Sequence, residues 1–174
     1  MVEMSADCGL VAIKPLELNG LDGIVELYNC SDGYRYATGV SFPVTQKDIR
    51  LKLERLETSK NEFFYGIFLN SANAVLQLIG VVSGIIHEQT LWIKLIAILP
   101  QFRRKGIGGA SVDLLYDRCR IIYGTSNVLL SVVGKNEEGV RFWLKQGFAE
   151  TGRFTKMLFG DPSPYEVIIM NKKL

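Results

Sequence analysis

The chain has 174 residues, 48% hydrophobic and 22% charged, a balance that excludes extensive disorder and suits one domain spanning residues 1–174. A net charge of +2 gives no nucleic-acid footprint, and every apolar run is broken by Lys94, His87, Glu88 or glycine before the roughly 20 residues a membrane helix needs. Cys8, Cys30 and Cys119 are an odd, scattered set with neither a disulfide framework nor metal-ligand spacing, and the N-terminus lacks a secretory pattern, so a cytoplasmic protein without a metal is expected.

Residues 10–16 read as a first strand, and Leu21, Ile24, Val25 and Tyr28 take helical spacing. Residues 31–41 read as a loop. Thr45 precedes Asp48 by three positions in a capping-box arrangement, with Ile49, Leu53 and Leu56 on one helical face behind it. Residues 63–69, 75–86 and 91–99 form an antiparallel meander of strands, turning at 70–73 and 88–90. A helix is expected over 107–121, then a wholly apolar strand over 128–133 of the kind buried on both faces. A helix over 138–146 ends at Gly147, and strands at 154–159 and 166–170 close the chain.

Between the strand at 91–99 and the helix at 107–121 lies a basic, glycine-bearing loop, Arg103-Arg104-Lys105-Gly106-Ile107-Gly108-Gly109. A helix start leaves backbone N–H groups without intrahelical partners, which makes such a loop a cradle for a polyphosphate. The charge distribution agrees, with net −3 over residues 1–99 and net +5 over 100–174. No lysine and hydroxyl pair follows these glycines, so the loop is not a P-loop. The third glycine of G-x-G-x-x-G is missing, so it is not a dinucleotide fingerprint.

Arg103 to Gly108, preceded by Ile98-Leu99-Pro100, resembles the acetyl-CoA signature Q/R-x-x-G-x-G/A of the GNAT superfamily of N-acetyltransferases. Asn136, and Phe142-Trp143-Leu144-Lys145-Gln146-Gly147-Phe148 with its Gly-Phe ending, resemble further marks of that family. Pro43-Val44-Thr45 and Ile168-Ile169-Met170-Asn171-Lys172 are similar to the branch that holds ribosomal-protein N-terminal acetyltransferases. The resemblance implies an α/β (α+β) fold: a mixed, mostly antiparallel twisted sheet of about six to seven strands with about four helices, splayed at the central parallel pair.

It also implies an acetyl-CoA-dependent N-acetyltransferase acting on a small amine or a protein N-terminus by direct transfer; a homodimer is left open. Ile96 and Ile98 would bond the pantetheine arm, with the Ile98 N–H as oxyanion donor. Arg103, Arg104, Lys105, Gly106, Ile107, Gly108 and Gly109 would hold the pyrophosphate, and Asn136 would bond the pantetheine or cap a strand end. Ser131 and His87 are the candidate catalytic side chains, and Tyr34 and Tyr36 would wall the acceptor pocket. Two positions depart from the family's pattern. Trp143 stands where many relatives place a tyrosine acid, and Lys94 where a glutamate base is common; by strict alternation Lys94 shares the face of Ile96 and Ile98. These departures keep open a second reading, an acyl-CoA-binding module with little or no transfer.

Overall fold

A computed structural model of the protein describes residues 6–7, 9–16, 21–30, 43–70, 76–157 and 164–174. In chain order the elements are β1 (Ala6–Asp7), β2 (Val11–Pro15), α1 (Asp22–Asn29), α2 (Gln46–Glu57), β3 (Glu62–Leu69), β4 (Gln77–His87), β5 (Thr90–Ile98), a 3-10 turn (Pro100–Phe102), α3 (Ile107–Tyr123), β6 (Asn127–Val133), α4 (Glu137–Lys145), β7 (Ala149–Met157) and β8 (Pro164–Lys173). The strands make one 8-stranded sheet in the order β1-β2-β3-β4-β5-β6-β8-β7. Every neighbouring pair is antiparallel except β5 and β6. The mixed, mostly antiparallel α/β fold expected from the sequence is present. No described helix is long and apolar enough to cross a membrane.

Local signals account for most boundaries. At α2 the Thr45 hydroxyl accepts from the Asp48 N–H while the Asp48 carboxylate accepts from the Thr45 N–H, so two amides at the helix start are satisfied. At the end of α4, Gly147 takes φ 84 and the Phe148 N–H reaches back to the Trp143 carbonyl, as a C′ glycine allows. The final strands run longer than expected because β7 is polar and exposed along nearly its whole length, which hides its alternation. The turn at 70–73 and the loop at 31–41 fall largely or wholly outside the described residues.

Helices cover both faces of the sheet. On one, α3 and α4 pack Val112, Leu115, Cys119 and Trp143 against Leu91, Ile93, Val128 and Leu130. On the other, α1 and α2 pack Leu21, Ile24, Ile49 and Leu56 against Phe64, Val81, Leu95 and Ala97. Strand β5 changes face in its middle. Ser83 pairs with Leu95 and the next residue, Gly84, pairs with Ile93, so Lys94 is an extra residue, a β-bulge. Leu91 and Ile93 therefore face α3, whereas Leu95 and Ala97 face α1 and α2. Strand β6 is not buried on both faces as its composition suggested. Val128, Leu130 and Val132 are buried toward α3, while on the other side Val133 is buried, Leu129 half-buried and Ser131 exposed.

Gly84 has no room for a side chain at the bulge. A Cβ there would lie 2.5 Å from the Trp92 carbonyl oxygen and 2.8 Å from the Phe63 ring. Overpacking of this kind costs about 1–3 kcal/mol. Gly84→Ala is expected to lose stability of that order in urea denaturation, and an unchanged midpoint would refute the packing read here.

Candidate active site

The parallel pairing of β5 with β6 runs from Thr90 opposite Asn127 to Ile93 opposite Leu130 and then stops. Past that point β5 stays with β4 to Ile98, and β6 stays with β8 to Val133. The two central strands thus fork. The Leu99 N–H donates to the Ile79 carbonyl at 2.8 Å, which makes that a hydrogen-bonded antiparallel pair. By alternation, Ile98 opposite Gly80 and Ile96 opposite Val82 turn their N–H and C=O groups away from β4, toward the fork. The other wall follows the same logic. The Gly134 N–H donates to the Glu166 carbonyl and the Leu174 N–H to the Ser126 carbonyl, so Ser131 and Val133 turn their backbone groups away from β8. A crevice edged by two rows of peptide groups is a place for an extended, amide-bearing chain.

At the end of β5 the loop forms an anion cradle. Arg104 (φ 57) and Gly106 (φ 77) both take left-handed backbone, which aims successive N–H groups into one concavity. The Phe102 and Arg103 amides donate to Leu99 and Pro100 carbonyls, and the Ala110 amide closes the first helical bond on Gly106. Between them, the amides of Arg104, Lys105, Gly106, Ile107, Gly108 and Gly109 donate no hydrogen bond among the described residues. Gly106, as N-cap, offers no side chain to satisfy them.

The glycines of the loop serve two structural ends. A Cβ on Gly108 would lie 3.2 Å from the Phe142 ring and one on Gly109 3.1 Å from Gln146 Nε2, so these two let α3 lie close against α4. Gly106 has open space around it and is required for its φ. Arg103 is turned inward: its Nε donates to the Ile98 carbonyl at 3.0 Å, and its guanidinium lies 4.0 Å from Glu138. Lys105 leans on the Phe102 ring at 5.7 Å, and Arg104 is exposed.

The remaining candidates separate. Ser131 and Lys94 are the first positions beyond the last β5–β6 pair, so Ser131 stands exposed at the base of the fork. Asn136 caps α4, its Oδ1 accepting from the Gly139 N–H at 3.0 Å. His87 ends β4 opposite Thr90, on the closed side of the parallel pair, roughly 13 Å along the strands from Lys94 at ~3.3 Å per residue. The fold does not bring it to the fork. Tyr34 and Tyr36 lie outside the described residues. Trp143 is 7% exposed and packs edge-on against Phe142 and Phe148, a core residue without acid function. Cys119 lies in the core with its thiol pushed up to about 12 by burial, far from thiolate character.

Lys94 is not on the face of Ile96 and Ile98, because the bulge breaks the alternation. It lies with Leu95 on the α1–α2 side and pairs with Glu62 at 3.0 Å. Both lysine and glutamate line a cavity of about 250 Å3 with Tyr28, Lys52, Leu56, Phe63, Ser83 and Leu95. Lys52 donates from Nζ to the Tyr28 hydroxyl at 3.0 Å and sits 4.2 Å from the centre of the Phe64 ring. The sequence did signal this residue. Lys52 stands on the apolar stripe of α2 with Ile49, Leu53 and Leu56, at helical spacing that marks an inward-facing position, and it is half-buried there. Burial, then the Lys94 and Arg55 charges, push its ammonium down to about 8, against a smaller opposing effect of Glu62. Burial raises the Tyr28 phenol well above its usual range, so it remains a neutral hydroxyl.

The site is thus a forked α/β sheet with an amide-lined loop at the fork's open end. The chain matches the model of the Acetyltransferase (GNAT) family over residues 22–148. It belongs to that family. No curated protein matches it. Among solved structures it is similar to a spermidine N-acetyltransferase from Vibrio cholerae in complex with CoA and spermine, with a TM-score of 0.79 and 19% identity over 95% of this chain and 96% of that one. A GNAT-family acetyltransferase from Bacillus anthracis gives a TM-score of 0.80 at 17% identity, covering 98% of each chain. The protein smu.2055 from Streptococcus mutans UA159 gives 0.69 at 26% identity, over 92% of this chain and 98% of that one.

Between about pH 8 and 10.5 the unfolded chain holds a proton at Lys52 that the folded chain has released, so the stability contributed at this site rises across that window. Lys52→Met lacks this rise. In urea denaturation, wild type is expected to gain about 2–3 kcal/mol on the variant from about pH 7 to about pH 11. A constant difference would refute the burial of a charged Lys52.

Proposed function

We propose that the protein transfers an acetyl group from acetyl-CoA to a primary amine, either a small molecule or a protein N-terminus, by direct attack in a ternary complex. The observation that carries this reading is the run of unsatisfied amides from Arg104 to Gly109 beside a fork edged with outward-facing backbone groups. Likeness to a spermidine N-acetyltransferase solved with CoA and spermine supports CoA as donor and an amine as acceptor. The resemblance of residues 43–45 and 168–172 to the N-terminal acetyltransferase branch supports a protein N-terminus as the alternative acceptor.

In this reading the diphosphate lies on the loop amides, each bond to a charged oxygen contributing about 1.5–3 kcal/mol. Asn136, spent on capping α4, steadies that wall of the fork. The pantetheine amides align with Ile96, and the Ile98 N–H, directed into the fork, faces the thioester carbonyl where negative charge develops. The neutral amine attacks that carbonyl carbon, the carbon–sulfur bond breaks, and the sulfur leaves as thiolate. The Ser131 hydroxyl, exposed at the fork's base, donates to the departing sulfur while the proton shed by the amine passes to water.

One observation favours the second reading, a CoA-binding module. Trp143 is packed in the core and Lys94 is paired to Glu62, so neither of the family's usual proton carriers is supplied at those positions. Loss of one general acid or base slows transfer by about 10²–10⁴-fold without abolishing it, which keeps transfer ahead.

Saturating acetyl-CoA is expected to raise the melting temperature. Gly106→Val, which places a branched side chain at φ 77, is expected to remove that shift while far-UV circular dichroism stays native. No shift in the wild-type protein would overturn both readings; a shift without thiol release across an amine panel would favour the binding module. Ser131→Ala is expected to lower kcat about 10-fold or more with acetyl-CoA affinity unchanged, and an unaltered kcat would remove Ser131 from the chemistry.

A further inference from the structure

The cavity under α1 and α2 adjoins the fork directly. Lys94 is at once its wall, the bulge residue and the first β5 position past the last β5–β6 pair; Ser131, its counterpart on β6, is exposed on the same side of the sheet. About 250 Å3 suits a group the size of an amino acid.

Its charges do not cancel. The Glu62 carboxylate is taken by Lys94 at 3.0 Å. Lys52 lies within ion-pair distance of no carboxylate among the described residues; a phenol hydroxyl and an aromatic face hold it in place. Both contacts position an ammonium without neutralising it. Arg55, on the same helix, adds a further positive charge close enough to be felt. Burying a cation beside other cations is costly unless an anion completes the site. The same arrangement repels an extended polyamine, whose charges would meet Lys52 and Lys94.

We propose that this cavity binds a carboxylate carried by the acceptor amine, with the Lys52 ammonium as its countercharge and the Tyr28 hydroxyl, held by Lys52, beside it. The inference rests on the acetyl-transfer reading for its purpose but not for its test. The acceptor class is then an amino acid or a peptide-like molecule whose carboxylate sits within a few bonds of the reacting amine. Lys52 anchors that end while the amine points to the fork at Ser131 and Ile98.

The test uses the full chain loaded with CoA, titrated calorimetrically with α- and ω-amino acids, each beside its own primary amide, and with spermidine. At least one amino acid is expected to bind about tenfold or more tightly than its amide, as a charge-assisted hydrogen bond implies. Lys52→Met is expected to bring the two within about twofold while the CoA-induced rise in melting temperature persists, which separates a lost anchor from a damaged fold. Equal binding of acids and amides, stronger binding of spermidine, or a preference that survives Lys52→Met would overturn the proposal. If CoA itself does not bind, the transfer reading falls, and the same titrations on the CoA-free chain decide the cavity by the same criteria.

Discussion

One inserted residue governs the centre of this molecule. With Lys94 as a bulge, β5 keeps its pairing to β4 yet changes the face that each later side chain presents. Its first half can therefore pack under α3 while its second half packs under α1 and α2. The same displacement coincides with the end of pairing to β6. Past that point the peptide groups of Ile96 on one strand and of Ser131 and Val133 on the other face the crevice and not the neighbouring strands β4 and β8.

The loop after β5 depends on conformation more than on charge. Its basic side chains are partly committed, Arg103 to the Ile98 carbonyl and Lys105 to the Phe102 ring. The amides are not, and left-handed backbone at Arg104 and Gly106 collects them. Neighbouring glycines do something else: Gly108 and Gly109 bring α3 against Phe142 and Gln146, so the aromatic helix α4 fixes where the loop begins. The aromatic cluster of Phe142, Trp143 and Phe148 supports the site from behind and supplies no proton.

The cavity on the opposite face carries a tension familiar in functional sites. Lys52 is held where desolvation works against its charge. Lys94 and Glu62, exposed at 44% and 39%, form a pair worth little to stability, and their mutual neutralisation leaves Lys52 as the uncancelled charge of the cavity.

Much of this was readable in the residues alone. Helices and strands followed from period, from the Thr45–Asp48 box and from Gly147, because those signals act within a few residues of where they are written. The free amides of the loop were legible for the same reason, since left-over amides are a property of any helix start. What tertiary structure decided was everything that depends on register and on distant neighbours. Alternation put Lys94 beside Ile96, and a bulge, which leaves no compositional mark, moved it to Glu62. His87 looked suited to catalysis by its chemistry, but pairing opposite Thr90 places it on the closed side of the fork. Glycine's role at 108 and 109 was set by α4, some thirty residues on. Periodicity and capping are local physics and survive in the sequence; face, partner and pocket arise only when remote segments pack.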